Sequence, residues 1–175
     1  FKRLVSLADK KIMAIQIKVT PINFEGTVKF SSYVEAGVEN HTRKTNPLVD
    51  YGPFGKHLVV EELKSDEDYI LYQGETKNSK LSMACGSVVV TDGHMTECVI
   101  GEEDGHTSYE VYAEEGKEVT FEKMIAYTSE LDMPKEEILP FIRAKLSEAK
   151  VLGYDKYEAL QKEKMDEFWS ASYLS

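Results

Sequence analysis

The chain has 175 residues, 42% of them hydrophobic and 30% charged, with 31 acidic against 21 basic side chains and a net charge of −10. That length and apolar share suit one folded domain with one sizeable core, not a disordered chain. The acidic excess repels phosphate backbones and anionic lipids, so neither nucleic acid nor membrane is an expected partner. No apolar run nears the roughly 20 residues that span a bilayer, and Phe1 to Lys10 lacks the apolar stretch of a secretory signal. Because the first residue is Phe and not Met, the chain is expected to begin inside something longer or after processing. Cys85 and Cys98 are too few for a disulfide scaffold and suit a reducing, cytoplasmic setting; sequence leaves a single bridge between them open.

Arg3 to Ala8 and Ile12 to Thr20 are rich in aliphatic and β-branched residues, and Ile15, Ile17 and Val19 alternate with Gln16, Lys18 and Thr20. Alternation with period two puts one face in a core and the other in water. Pro21 and Gly26 break the pattern before Gly26 to Glu35, which sets Val28, Phe30, Ser32 and Val34 on one face. Ala36 to Lys56 then reads as a polar loop of about twenty residues, a length at which loops are often functional.

Further strands are expected at His57 to Leu63 and Tyr69 to Glu75, joined by an acidic turn at Asp66 to Asp68. Leu81 to Thr91 is strongly apolar. Asp92-Gly93 is a favoured hairpin pair, which makes Met95 to Ile100 its expected return strand. Ser108 to Ala113 alternates Tyr109, Val111 and Ala113 against Ser108, Glu110 and Tyr112. Val119 to Tyr127 runs back with Val119, Phe121 and then Lys123 and Ile125 on one side. About eight or nine short strands with turn signals between them argue for an antiparallel β-sandwich over residues 1–130 and against a βαβ fold.

The period changes after Ser129. Pro134 suits a first helical turn, Glu136 and Glu137 meet its dipole, and Leu139, Ile142, Leu146 and Ala149 recur at helical spacing up to a stop at Gly153. Pro140 is expected to kink or divide this helix. A second helix is expected from Asp155, which has capping-box spacing to Glu158, with Tyr157, Leu160, Met165 and Phe168 or Trp169 along its apolar stripe. Residues 131–175 thus read as a two-helix segment, with Trp169 a packing anchor, against a part of the protein beyond this chain.

Motifs for a nucleophile elbow, a phosphate loop, a dinucleotide loop, H-E-x-x-H, C-x-x-C and an EF-hand do not occur. His94, Cys98 and His106 with Glu102, Glu103 and Asp104 make the best metal candidate, if a hairpin brings the two histidines together; scattered ligands of this kind read first as turn and strand-surface residues, and no metal is expected. Glu61-Glu62, Glu102-Glu103-Asp104 and Glu114-Glu115 could supply paired carboxylates for glycoside chemistry, but among 31 acids they read as solvated turns and edges. Cys85 reads as a small buried hydrophobe. Tyr33, Tyr51, Phe54, Tyr69 and Tyr72 could stack on sugar rings, against the commoner role of packing. The sequon Asn40-His41-Thr42 is taken as chance. No catalytic residue is expected within the chain.

Arg3 to Leu7 (RLVSL), Thr20 to Gly26 (TPINFEG), Phe30 to Asn40 (FSSYVEAGVEN) and Thr76 to Gly86 (TKNSKLSMACG), continued by Phe168-Trp169, resemble in order and spacing the N-terminal region of glycoside hydrolase family 65. That family includes maltose, trehalose and kojibiose phosphorylases. Asn40 followed by Tyr51 to His57 (YGPFGKH) resembles the maltose-cleaving members first.

The resemblance implies a galactose-mutarotase-like sandwich, here lacking its first strands, a helical linker, and then an (α/α)6 barrel beyond residue 175. The barrel would supply the general acid and the phosphate site for inverting phosphorolysis of an α-glucoside, with inorganic phosphate as co-substrate and no cofactor. It also implies a non-catalytic role for this domain. The loop residues Tyr51, Phe54, Lys56 and His57 would reach toward the barrel or a partner subunit, possible in a homodimer, and unpaired strand edges would dimerise or be covered by the helical tail. The competing expectations are an independent carbohydrate-binding module that uses exposed tyrosines, and a self-contained enzyme with a His or carboxylate site.

Overall fold

The computed structural model describes residues 1–39 and 55–172. Among them nine strands precede one long helix: β1 (Lys2–Val5), β2 (Ile12–Val19), β3 (Gly26–Glu35), β4 (Leu58–Asp66), β5 (Tyr69–Thr76), β6 (Ser82–Thr91), β7 (His94–Ile100), β8 (Asp104–Ala113), β9 (Val119–Ser129) and α1 (Lys135–Ala171). The strands form a six-stranded sheet in the order β1-β2-β9-β6-β5-β4 and a three-stranded sheet in the order β3-β8-β7. Every pairing is antiparallel. The expected antiparallel sandwich is present, and the helix adds a third layer.

The centre of the large sheet is buried on both faces, which is why β6 reads as a continuous apolar run. Its neighbours Val88 and Val89 point to opposite cores. Val88 joins Ile12, Ala14, Leu71, Met124 and Ala126 against Ile138, Leu139, Ile142 and Leu146 of α1. Val89 joins Val119 and Phe121 against Tyr109 and Ala113 of the small sheet. Each fully buried Ile or Leu of the helix contributes roughly 1.5–3 kcal/mol of apolar burial. Ion pairs from the helix to strands and turns of the sheet border this core: Arg143 to Asp66 at 2.6 Å, Lys145 to Asp9 at 2.7 Å, Lys150 to Asp68 at 2.6 Å and Lys135 to Glu61 at 2.5 Å. The helical tail lies over β5, β6, β9 and β2; it covers a face of the sheet, where an edge was expected.

Two local expectations are corrected. Asp92-Gly93 does not close a hairpin, because β6 pairs with β5 and β9 while β7 pairs with β8. The turn carries the chain from one sheet to the other. It lies so close to β8 that a Cβ on Gly93 would stand 2.5 Å from the Glu110 carbonyl oxygen. Pro140 does not divide α1. The one non-helical residue inside it is Gly153, at φ 71° and ψ 171°, a conformation open to glycine and costly for other residues. Pro140 is only the sixth residue of the helix, so a single short turn must accommodate its ring, and Ile138, Leu139 and Ile142 hold both sides of it in the core.

The helix therefore runs as two pieces about Gly153, as the sequence period suggested. The restart is held by β9: Glu122 Oε2 accepts the Tyr154 backbone N–H at 2.9 Å, and Glu122 Oε1 accepts from Gln16 Nε2 at 2.9 Å. Gln16, only 2% exposed, also reaches Asp155 Oδ1 at 3.3 Å. Beyond Tyr157 the helix keeps polar contacts at β1 and the residues after it, where Glu158 pairs with Lys2 at 2.9 Å and Gln161 Oε1 accepts the Leu7 N–H at 2.7 Å; near its end Phe168 and Trp169 pack edge to face with one another, more than half exposed. No helix among the described residues is long and apolar enough to cross a membrane.

Candidate functional site

Of the loop residues singled out from sequence, Tyr51 and Phe54 lie outside the described residues, as does most of the Ala36 to Lys56 loop. The two stems of that loop are described, and both meet Glu103, in the turn between β7 and β8. The Glu103 carbonyl oxygen accepts the N–H groups of Ala36 at 2.7 Å and Gly37 at 3.2 Å, just after β3. Its carboxylate pairs with the Lys56 ammonium, just before β4. The loop thus leaves and rejoins the sandwich at one point. The His57 carbonyl oxygen accepts the Lys77 N–H at 2.8 Å.

The scattered metal candidate does not assemble. The β7–β8 register sets His94 opposite Glu110 and His106 opposite Val99, so four residues of strand, about 13 Å, separate the two histidines. Among the described residues no group of three His, Cys, Asp or Glu could hold a metal ion. The carboxylate runs are engaged elsewhere. Glu61 is held below the usual carboxylate range by its hydrogen bond from Lys135. Glu62 pairs with Lys64 at 2.7 Å, and Glu114 with Lys117 at 2.6 Å.

Tyr69 and Tyr72 are buried, at 5% and 4% exposure, and offer no face to a sugar. The Arg143 guanidinium lies 3.6 Å from the Tyr69 ring centroid, so that ring is a packing surface for the helix. Tyr33 is different. It projects from the outer face of the small sheet, 62% exposed, with its ring stacked on His106 at 5.1 Å between centroids. The register sets Tyr33 opposite His106, Ser31 opposite Ser108, Lys29 opposite Glu110 and Thr27 opposite Tyr112. Tyr112, 59% exposed, belongs to the same face; sequence reading placed it on the outward side of its strand without weighing it as a ligand. Its signal was alternation, which marks it as outward but carries no sign of function.

Between the layers, a cavity of about 210 Å3 is lined by Ile15, Ile17, Phe30, Val89, Phe121 and Lys123 among others. Lys123 Nζ donates to the Tyr33 carbonyl oxygen at 2.6 Å, and burial pushes this amine below its ordinary pKa. Burial likewise pushes the Cys85 thiol up, away from nucleophilic chemistry. Both cysteines are free thiols.

Residues 1–168 match the family described as "Glycosyl hydrolase family 65, N-terminal domain". The chain is similar to an α,α-trehalose phosphorylase of Thermoanaerobacter brockii, 26% identical over 171 residues, which are 96% of this chain and 22% of that protein. It is also similar to an α,α-trehalose phosphorylase of Geobacillus stearothermophilus, 34% identical over 87 residues, 50% of this chain and 11% of that protein. A solved structure described as a kojibiose phosphorylase from the human microbiome shares the fold with a TM-score of 0.72 at 13% identity, over 91% of this chain and 20% of that one. The chain spans about a fifth, or less, of the length of these relatives.

Proposed function

The chain belongs to glycosyl hydrolase family 65 as an N-terminal domain, and from that membership we propose that it is the non-catalytic domain of a phosphorylase that cleaves an α-linked glucose disaccharide with inorganic phosphate. The observation that carries this reading is the reach of the family match. It runs through the sandwich and nearly all of the helix, while the relatives are several times longer than the chain. The chemistry then belongs to the rest of the parent. Residues 131–175 serve as the linker: the first helical piece is anchored on the sheet, and the second carries Phe168 and Trp169 outward to meet the barrel.

Maltose was the substrate suggested by Tyr51 to His57. The relatives matched in sequence are named for α,α-trehalose, so trehalose is the first substrate to assay and maltose the second. The loop clamped at its base by Glu103 is read as a contact to the barrel mouth or to a partner subunit in a homodimer. Two free thiols fit a cytoplasmic setting.

The test is phosphate-dependent release of glucose 1-phosphate from trehalose, maltose and kojibiose by the full-length parent, before and after replacement of Tyr51 to His57. Altered kinetics or oligomeric state is expected from the replacement; no change in either would remove the loop from this reading. Sugar phosphate formed by the 175-residue chain alone would overturn the non-catalytic role.

A further inference from the structure

We propose that the outer face of the three-stranded sheet binds a neutral α-glucan chain laid between Tyr33 and Tyr112. The face is built row by row. At one end the Tyr33 ring lies on His106, whose Nε2 is 3.5 Å from Glu97 Oε2. In the next row Ser31 Oγ and Ser108 Oγ are 2.9 Å apart, and Ser108 Oγ lies 3.5 Å from the same Glu97 carboxylate. Lys29 approaches Glu97 at 3.9 Å and stands opposite Glu110. Tyr112 closes the far end, six strand residues from His106, about 20 Å away. That span fits an oligosaccharide and exceeds a single ring.

Each part suits a sugar. An aromatic face carries partial negative charge and attracts the C–H groups on the flat side of a pyranose. Tyr33 is already held by its stack on His106, so binding immobilises little that is free. Between the tyrosines stand the Ser31 and Ser108 hydroxyls, the Glu97 and Glu110 carboxylates, the Lys29 ammonium beside Glu97, and His94 opposite Glu110. An ionised carboxylate only accepts hydrogen bonds, so its partner must bring donors, as sugar hydroxyls do.

Charge narrows the choice further. Glu35, Asp104, Glu97 and Glu110 all sit at outward register positions, and the one lysine among the outward residues of β3 is already drawn to Glu97. With a net charge of −10 behind them, these groups repel phosphates and acidic chains; of the two occupants left, a cationic chain and an uncharged polyol, the polyol is the one that uses the tyrosine faces and the row of hydroxyls together. The choice of a glucose polymer rests on the α-glucoside reading above; the sugar-binding chemistry of the face does not.

The test is calorimetric titration of the 175-residue chain with maltohexaose, run beside oligolysine of similar length. Saturable maltohexaose binding is expected, weakened at least tenfold by Tyr33→Ala and by Tyr112→Ala, with oligolysine showing none at physiological salt. Both side chains point outward, so the fold should survive; Tyr33→Leu, which keeps bulk without a π face, serves if Tyr33→Ala does not fold. Amide shifts in the unaltered chain should concentrate on β3 and β8. Absence of saturable binding, binding undiminished in the variants, shifts centred elsewhere, or tighter binding of oligolysine to this face would each overturn the proposal. A parent that phosphorolyses none of the three disaccharides sinks the earlier reading and leaves the outcome of this titration standing.

Discussion

Glu122 and Tyr154 meet at the break in the helix: a carboxylate on β9 accepts, at 2.9 Å, the first backbone N–H after Gly153. A helix restarting on a sheet leaves orphan N–H groups facing the layer below, and here the sheet itself supplies the acceptor. The other carboxylate oxygen holds Gln16, a side chain with almost no access to water. Glu122→Ala would strand the Tyr154 N–H and leave the Gln16 amide only its longer bond to Asp155 at 3.3 Å, and a buried group left unsatisfied costs about 1–3 kcal/mol. The urea midpoint should fall accordingly, and hydrogen exchange at Tyr154 should quicken selectively. Glu122→Gln keeps one acceptor oxygen and should cost less. Equal losses for both variants would deny the capping role.

Gly86 marks where helix and sheet come closest. A Cβ there would lie 2.9 Å from Ile142 Cγ2, from Leu146 Cδ1 and from the Ile70 carbonyl oxygen. Gly86→Ala should therefore destabilise by overpacking, by about 1–3 kcal/mol. Leu146→Ala opens a cavity and should cost about 2–5 kcal/mol. The double variant should lose less than the sum, because the new methyl enters the vacated space. Strict additivity in denaturant titrations would show that the two sites do not touch.

Tyr157 is 1% exposed, and burial, assisted by the nearby charges of Asp9 and Glu148, pushes its phenol up to about 12 from an ordinary 10. A folded-state pKa above the unfolded one means that the folded protein keeps a proton the unfolded chain has lost. The contribution is complete below pH 10 and disappears as pH rises toward 12, an effect of roughly 2 to 3 kcal/mol across that window. Tyr157→Phe removes the group that titrates, so the variant should show a shallower alkaline loss of stability than the parent chain. Identical alkaline slopes would place the sensitivity elsewhere.

Much of this architecture was legible in the sequence because alternation reports burial directly. The outward tyrosines Tyr33 and Tyr112, the inward Val28 and Phe30, and the stripe of Leu139, Ile142, Leu146 and Ala149 all occupy the faces their spacing assigns. What spacing does not encode is which strand a turn delivers the chain to. Asp92-Gly93 has hairpin chemistry, yet β6 already has both edges filled, by β5 and β9, so the following strand joins the other sheet. Nor does composition reveal partners distant in sequence. Nothing local in the sequence brings Tyr154 against Glu122, and for Tyr69 it leaves both a sugar platform and the commoner packing role open until Arg143 covers the ring. The clamp of both loop stems on Glu103 was invisible for the same reason.

Lys123 shows a further conflict between pattern and environment. It occupies the inward face of β9 beside Phe121, where burial lowers its amine below the ordinary value, and its Nζ donates to the Tyr33 carbonyl oxygen. A depressed lysine pKa means that the charged form is penalised in the folded state, so at neutral pH the fold carries an unfavourable contribution that fades as pH rises from the lowered value to the ordinary lysine value and is gone above it. Lys123→Met removes the charge and keeps the length, and its urea midpoint at pH 7 should lie above that of the parent chain. The same change uncovers a carbonyl on β3, an edge strand of the small sheet, and edges left open invite pairing with another chain. Sedimentation should then show more self-association for Lys123→Met than for the parent. A variant that is both less stable and strictly as monomeric as the parent would mean that the hydrogen bond to Tyr33 outweighs the desolvation and that this edge needs no guard.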